Sequence, residues 1–458
     1  MTKSKIGLVL GVLVCLLLYF IPIEGLSLQG QTALALTMMT VIFWACQVAH
    51  PGFISGIYLA LLVILQVAPA SIVFSPWIGS TMYFVIGAYL IAAAVKNSGL
   101  GERIAMIVIA RYISNFRSII ISIFALNALL SLLIPNSWAR SFIIMAVMKQ
   151  VIENANLNKR DAITIGFAVF ASSIPTSMIF LTGESAINLV LLQYVDTPIN
   201  WLRWFFYMGP PAIAATFITM VTILLVFRPK EAVSVDKEIV KERLSQMGKL
   251  TNKEWRVIIW MTIAIVVWMT DGLHGIDIGF ATLAITMLMG FPVIGKIVGA
   301  EDWADVPIHV LIFLTAAIAI GRVGDASGMN DFIAGLMFPS FVPQNIFVMA
   351  ALVSAIAILI HMVLGSVIAV LSVVIPAVLI FTAPLGLNPL IPIFIVYVAV
   401  FGHFILPFHS ISILVGVGEK NGLYSEKECI RAGIPLTLMV FIVVLAIQLP
   451  WWRLIGLY

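Results

Sequence analysis

With 458 residues, 62% of them apolar and only 10% charged, the chain departs from soluble domains, in which about a quarter of residues are charged. A mean hydropathy of +1.12 and room for about ten or more apolar runs of about 20 residues point to an all-α polytopic membrane protein. The net charge of +4 resides in loop cations with no basic stripe, so the partner implied is the lipid bilayer and no nucleic acid is expected.

The first apolar run, 6–22, follows Lys3 and Lys5 and lacks a small-residue cleavage site after it, so it reads as a retained first helix. Further spans are expected at 31–48, 53–69, 80–95, 205–227, 256–272, 278–293, 306–321 and 433–450. Four apolar segments exceed one crossing and are interrupted inside: 117–150 at Pro135-Asn136-Ser137, 161–195 near Thr182-Gly183, 344–383 near Gly365-Ser366, and 390–416 near Pro407. Backbone that leaves helix at membrane depth has to be buried in protein or line a polar cavity, because lipid offers no hydrogen bonds. The three cysteines, Cys15 and Cys46 in apolar runs and Cys429 in a short polar loop, form no paired framework.

Loop cations set the orientation. Lys96, Arg103, Arg111 and Arg117 form one positive connection, and Lys149, Lys159 and Arg160 a second. The stretch 228–256 carries eight Lys/Arg, and 418–431 adds Lys420, Lys427 and Arg431. All fall on one face, the cytoplasmic one, if 117–150 is re-entrant; two full crossings there give the same face. The N-terminus is then cytoplasmic.

The chain also repeats itself. "KNSGLGERIAMIVI" (96–109) precedes the segment broken at Asn136, and "GDASGMNDFIAGL" (324–336) precedes the one broken at Gly365. An offset of 229 carries Gly99 onto Gly328, Asn136 onto Gly365 and Ser137 onto Ser366. The breaks "LTGESAINLV" (181–190) and "LPFHSISILV" (406–415) match near 225. The charge map puts Gly99 inside and Gly328 outside, which makes the repeat an inverted one, the pattern of secondary transporters with a midplane site between discontinuous helices.

The residues "AAAVKNSGLGERIA" (92–105), "LIPNSWARSFI" (133–143), "FLTGESAINLV" (180–190) and "IHMVLGSVIAVLSVVIP" (360–376) resemble the divalent anion:sodium symporter, or dicarboxylate transporter, family. The second is similar to the Ser-Asn-Thr signature in the "SNTAR" form of bacterial citrate/succinate exchangers and plastid dicarboxylate translocators. The fourth is similar to the "HYxFASxTAH" form of that branch through His361, Gly365, Ser366 and Ala369. The resemblance implies about eleven transmembrane segments with two re-entrant hairpins and two broken helices. It implies a homodimer whose mobile transport domain slides as an elevator against a scaffold, carrying a di- or tricarboxylate-like anion by sodium-coupled symport. On this chain the scaffold falls at 1–115 and 256–343, the transport domain at 116–227 and 344–458, and a cytoplasmic linker at 228–255. A bacterial-type inner membrane is the expected location.

The candidate substrate-binding residues are Asn136, Ser137, Arg140, Thr182, Asn188, Ser366, His409 and Ser410. Sodium, the one ion implied as a cofactor, would take oxygens near Asn136, Ser137, Gly183 and Ser185, by the preference of hard cations for oxygen ligands. A second ion site would use Gly365, Ser366 and Ser412. Each has a plainer alternative. Pro-Asn-Ser also makes ordinary turns. Arg140 and Glu184 are intramembrane ionisable groups, functional candidates by default, yet Arg140 can equally pair with a loop acid and Glu184 face a water-filled vestibule. His361, His403 and His409 serve either as titratable groups or as neutral rings bonded to carbonyls.

The sequence departs from the family pattern at Asn136-Ser137-Trp138, at Ser366-Val367-Ile368, which lacks an asparagine, and at "PFHSIS". At most one well-formed sodium site is therefore expected, and a sodium-independent exchanger is the rival reading. An intramembrane enzyme or primary pump is disfavoured because HExxH, DDxxD, GxSxG and GxxxxGK[ST] patterns are all missing from the sequence. A channel fits the midplane breaks less well than alternating access.

Overall fold

The computed structural model describes residues 3–154, 157–195, 199–228, 242, 244–406, 409–410 and 424–458. Every regular element among them is helical. The first half contains α1 (Lys3–Phe20), α2 (Leu28–Ala45), α3 (Pro51–Ile64), α4 (Thr81–Ser98), α5 (Leu100–Tyr112), α6 (Phe116–Leu133), α7 (Ser137–Asn154), α8 (Lys159–Ser177), α9 (Ser185–Leu192) and α10 (Trp201–Val226). The second contains α11 (Asn252–Met269), α12 (Ile278–Gly290), α13 (Ile308–Ser327), α14 (Met329–Met337), α15 (Ile346–Leu364), α16 (Val367–Thr382), α17 (Leu390–Phe401) and α18 (Glu426–Leu454). Among the described residues eight helices are long and apolar enough to cross a membrane, and a ninth span arises if the bent pair α4–α5 counts as one. Only 11% of α1 is buried, as expected of a helix that faces lipid, whereas 78% of the window Val367–Leu385, which contains α16, lies inside the protein.

Element order repeats between the halves. Helices α4 and α5 meet at Gly99, and α13 and α14 meet at Gly328; these glycines have φ of +80° and +76°. That left-handed conformation is open to glycine and strained for other residues. Each of these helix pairs is followed by a helical hairpin. In the first, α6 starts on a capping box in which Asn115 and Ser118 bond each other's backbone, and Ile134–Asn136 separate it from α7. In the second, only Gly365 and Ser366 separate α15 from α16. A further helix then leads to non-helical backbone: α8 into a 3-10 turn at Leu181–Glu184, and α17 into residues 402–406. In the core, α8 packs on α6, α17 on α15 and α16, and α13 on α2 and α3.

Helix α10 contains Pro210 and Pro211, which have no N–H, so the carbonyls four residues earlier, of Phe206 and Tyr207, lose their helical donors. The indoles of Trp451 and Trp452 donate to these two oxygens, at 2.9 and 3.0 Å. The C-terminal end of α18 is thereby fastened to α10.

Four expectations change. Cys429 lies buried in the first turn of α18, not in a loop, because Ser425 and Glu428 form a capping box that starts the helix before it. Helix α17 stops at Phe401, before the expected break; Pro407 itself lies outside the described residues. Residues 252–255 of the expected linker belong to α11, started by a Thr251/Glu254 capping box. Arg103, read as a loop cation, is buried in an ion pair with Glu254 and also donates to the carbonyls of Met247, Gly248 and Lys249. An isolated buried charge is costly, and the carboxylate with three carbonyls supplies the compensation.

Candidate functional site

The first break is built around the hairpin tip. Proline at 135 removes a donor, and the asparagine after it caps α7: its side-chain oxygen accepts the Ala139 N–H at 2.9 Å. The tip joins the break after α8 through the Ser185 N–H, which donates to the Pro135 carbonyl at 3.1 Å. The Glu184 carboxylate accepts the Ser137 N–H at 2.8 Å and is also hydrogen-bonded to the Ser137 side chain. Helix α7 thus begins on a carboxylate, favourable at the positive end of a helix dipole.

Arg140 is fully buried and points back into the same knot. Its guanidinium donates to the Ile134 carbonyl at 2.7 Å, the Ser177 hydroxyl at 2.6 Å and the Gly183 carbonyl. Among the described residues it makes no ion pair within 4 Å with Glu184. Asn188 closes the unwound turn: its amide nitrogen lies 3.1 Å from the carbonyls of Ser177, Phe180 and Leu181, and its oxygen accepts the Tyr397 hydroxyl of α17. The Thr182 hydroxyl accepts from the Trp201 indole at 3.2 Å. Gly183 is required by contact, since a Cβ there would collide with the backbone of Ser177.

The structure therefore brings together Asn136, Ser137, Arg140, Thr182, Gly183, Glu184, Ser185 and Asn188, and the side chains of Asn136, Arg140, Thr182 and Asn188 are bonded to other parts of the protein. Arg140 joins the two breaks, whereas Thr182 accepts from Trp201 of α10 and Asn188 braces the second break against Tyr397 of α17. The groups that face one another at the tip are Asn136, Ser137 and Glu184. Two residues escaped the sequence reading. Tyr397 ties the first half to the second, and Tyr89 lies beside the Asn136 side chain. A lone tyrosine within "LIPIFIVYVAVF" was the only signal for the former.

In the second half, Ser366 caps α16 with its hydroxyl 3.4 Å from the Ala369 N–H, and Gly365 has φ +68°. Ser410 is half-buried, and Ser412 lies outside the described residues. Beside this tip three buried imidazoles cluster. His361 and His403 face each other at 3.2 Å between Nδ1 atoms, with the His409 ring 4.6 and 4.9 Å from theirs. Three histidines whose nitrogens lie within 4.8 Å of one another suggest a metal centre. The hydrogen bonds oppose it. Nδ1 of His409 accepts the N–H groups of Ile405 and Leu406 at 3.0 and 3.2 Å, so the neutral ring carries its proton on Nε2 and offers no lone pair there. The group also contains no carboxylate to offset a dication. The cluster stands as a buried polar element beside the second tip, with His361 and His403 in contact through Nδ1 and their Nε2 atoms without hydrogen-bond partners.

A family model described as the sodium:sulfate symporter transmembrane region matches residues 2–458. A membrane protein of Cupriavidus necator is 24% identical, covering 94% of this chain and 89% of that protein. The citrate/succinate antiporter of Escherichia coli is 24% identical over 56% of this chain and 55% of its own length. The crystal structure of the Alcanivorax borkumensis YdaH transporter matches 89% of this chain and 99% of that one with a TM-score of 0.53 and 13% identity, a likeness of fold.

Proposed function

The chain belongs to the sodium:sulfate symporter family, and on that premise we propose that it is a secondary active carrier of a small organic anion, di- or tricarboxylate-like, working by exchange without sodium. Arg140 carries this reading. Its guanidinium is bonded to the Gly183 carbonyl, an oxygen that a sodium ion at the first tip would need. A fixed cation at hydrogen-bond distance disfavours a second cation on the same oxygen, since like charges a few ångströms apart repel strongly in a low-dielectric interior. At the second tip Val367 replaces an asparagine ligand, and three imidazoles stand alongside. The name of the Escherichia coli relative, an antiporter, agrees.

Sodium-coupled symport is the second reading. The family description names sodium, and Asn136, Ser137 and Ser185 still offer oxygens at the first tip. Proteoliposomes separate the two. Uptake of labelled succinate is expected to require an internal counter-anion and to proceed equally when choline replaces sodium. Uptake that needs sodium and no counter-anion would overturn exchange.

The same proposal includes inverted, re-entrant hairpins α6–α7 and α15–α16 moving as an elevator against a scaffold of α1–α5 and α11–α14. It places the protein as a homodimer in a bacterial-type inner membrane with the N-terminus cytoplasmic.

A further inference from the structure

We propose that the Glu184 carboxylate is the resident occupant of the anion seat at the first hairpin tip, and that a substrate carboxylate binds by displacing it from Ser137. The proposal rests on the transport reading above and names the residue that controls binding there.

The seat already holds a carboxyl group. The N–H and side chain of Ser137, at the start of the 18-residue helix α7, converge on the Glu184 carboxylate. These are the donors that an incoming carboxylate requires, and helix N-termini favour such groups. Two ionised carboxylates cannot accept from one N–H together, because like charges at that separation exclude each other. Occupancy by Glu184 and by substrate is therefore mutually exclusive.

Three features allow the side chain to leave. Arg140, the nearby cation, is held by Ile134, Ser177 and Gly183 and forms no ion pair with Glu184 within 4 Å, so its bonds survive the departure. Glu184 has φ −142° and ψ +87°, outside helix, so its side chain can swing without unwinding α9. Buried polar atoms without hydrogen-bond partners, Arg140 Nε and the Ser185 hydroxyl, belong to the same knot and could serve an additional oxygen. On this proposal Asn136 and Ser137, expected as substrate ligands, meet the substrate only once Glu184 has left.

The full-length protein, purified in detergent, is titrated with succinate, citrate and sulfate by calorimetry, alongside Glu184→Ala and Glu184→Gln. Emptying the seat should lower the Kd for succinate at least fivefold in Glu184→Ala, with Glu184→Gln between it and the parent. If Glu184→Ala does not fold, tighter binding by Glu184→Gln decides in the same direction. Binding to the parent with equal or weaker binding to the folded variants overturns displacement and leaves the transport reading intact. Binding to none of the proteins overturns both.

Discussion

Arg140 is held by two carbonyls and a hydroxyl rather than by an acid, which makes its planar fork more important than its charge. Lysine keeps the charge but cannot reach all three oxygens, so Arg140→Lys leaves at least one buried acceptor unmet, at about 1–3 kcal/mol. We expect a lower melting temperature in detergent and near-complete loss of succinate uptake, not restored by raising sodium. Asn188→Ala tests a different point. Its amide and carbonyl are spent on the protein, so folded yield and maximal uptake should fall while the KM for succinate stays unchanged. A KM raised tenfold would return Asn188 to the substrate. Tyr397→Phe should cost about 0.6 kcal/mol in detergent unfolding, the average scale of an interhelical hydrogen bond within a membrane protein. Residue types announced where the polar knots would be, since Pro-Asn-Ser and Thr-Gly-Glu-Ser stand out in apolar surroundings. They could not announce partners. The bonds from Arg140 to Ser177 and from Tyr397 to Asn188 join residues 37 and 209 apart in sequence, and no local pattern encodes such a pairing.

At the scale of helices, breaks were legible wherever the backbone itself demanded a particular residue. Gly99, Gly328 and Gly365 all have positive φ, and each marks a joint found in the sequence. The end of α17 was not legible, because the apolar run continues past Phe401 and hydropathy does not register a change of backbone direction. Gly183→Ala is expected to be a damaging methyl insertion, since the added carbon meets the backbone of Ser177. Gly99→Ala should be milder, as no atom lies within 4 Å of the added carbon and only the left-handed conformation is penalised, by about 1–2 kcal/mol. Thermal melts of the two variants side by side should show the larger drop for Gly183→Ala; the reverse order would mean that the break after α8 relaxes freely.

For the whole molecule, class followed from composition and the repeated element order from matches at offsets of 229 and about 225, whereas the buried Arg103–Glu254 pair, which ties α5 to the start of α11, was not legible. Charge counting treats every loop arginine as solvated, and only the fold reveals which is enclosed. Topology can be checked across α11, whose ends are marked by exposed Lys249 and by Leu273, 88% exposed. In a cysteine-free background, Lys249→Cys should react with a membrane-impermeant maleimide only in inside-out vesicles, and Leu273→Cys only in right-side-out ones. The opposite pattern would invert the orientation.

The two tryptophans that serve the proline-freed carbonyls of α10 are made some 240 residues after those carbonyls. During synthesis α10 therefore precedes the two indole donors that serve these carbonyls in the folded protein. A chain that stops short of Trp451 lacks both of these donors, so the last helix to be made completes one made much earlier.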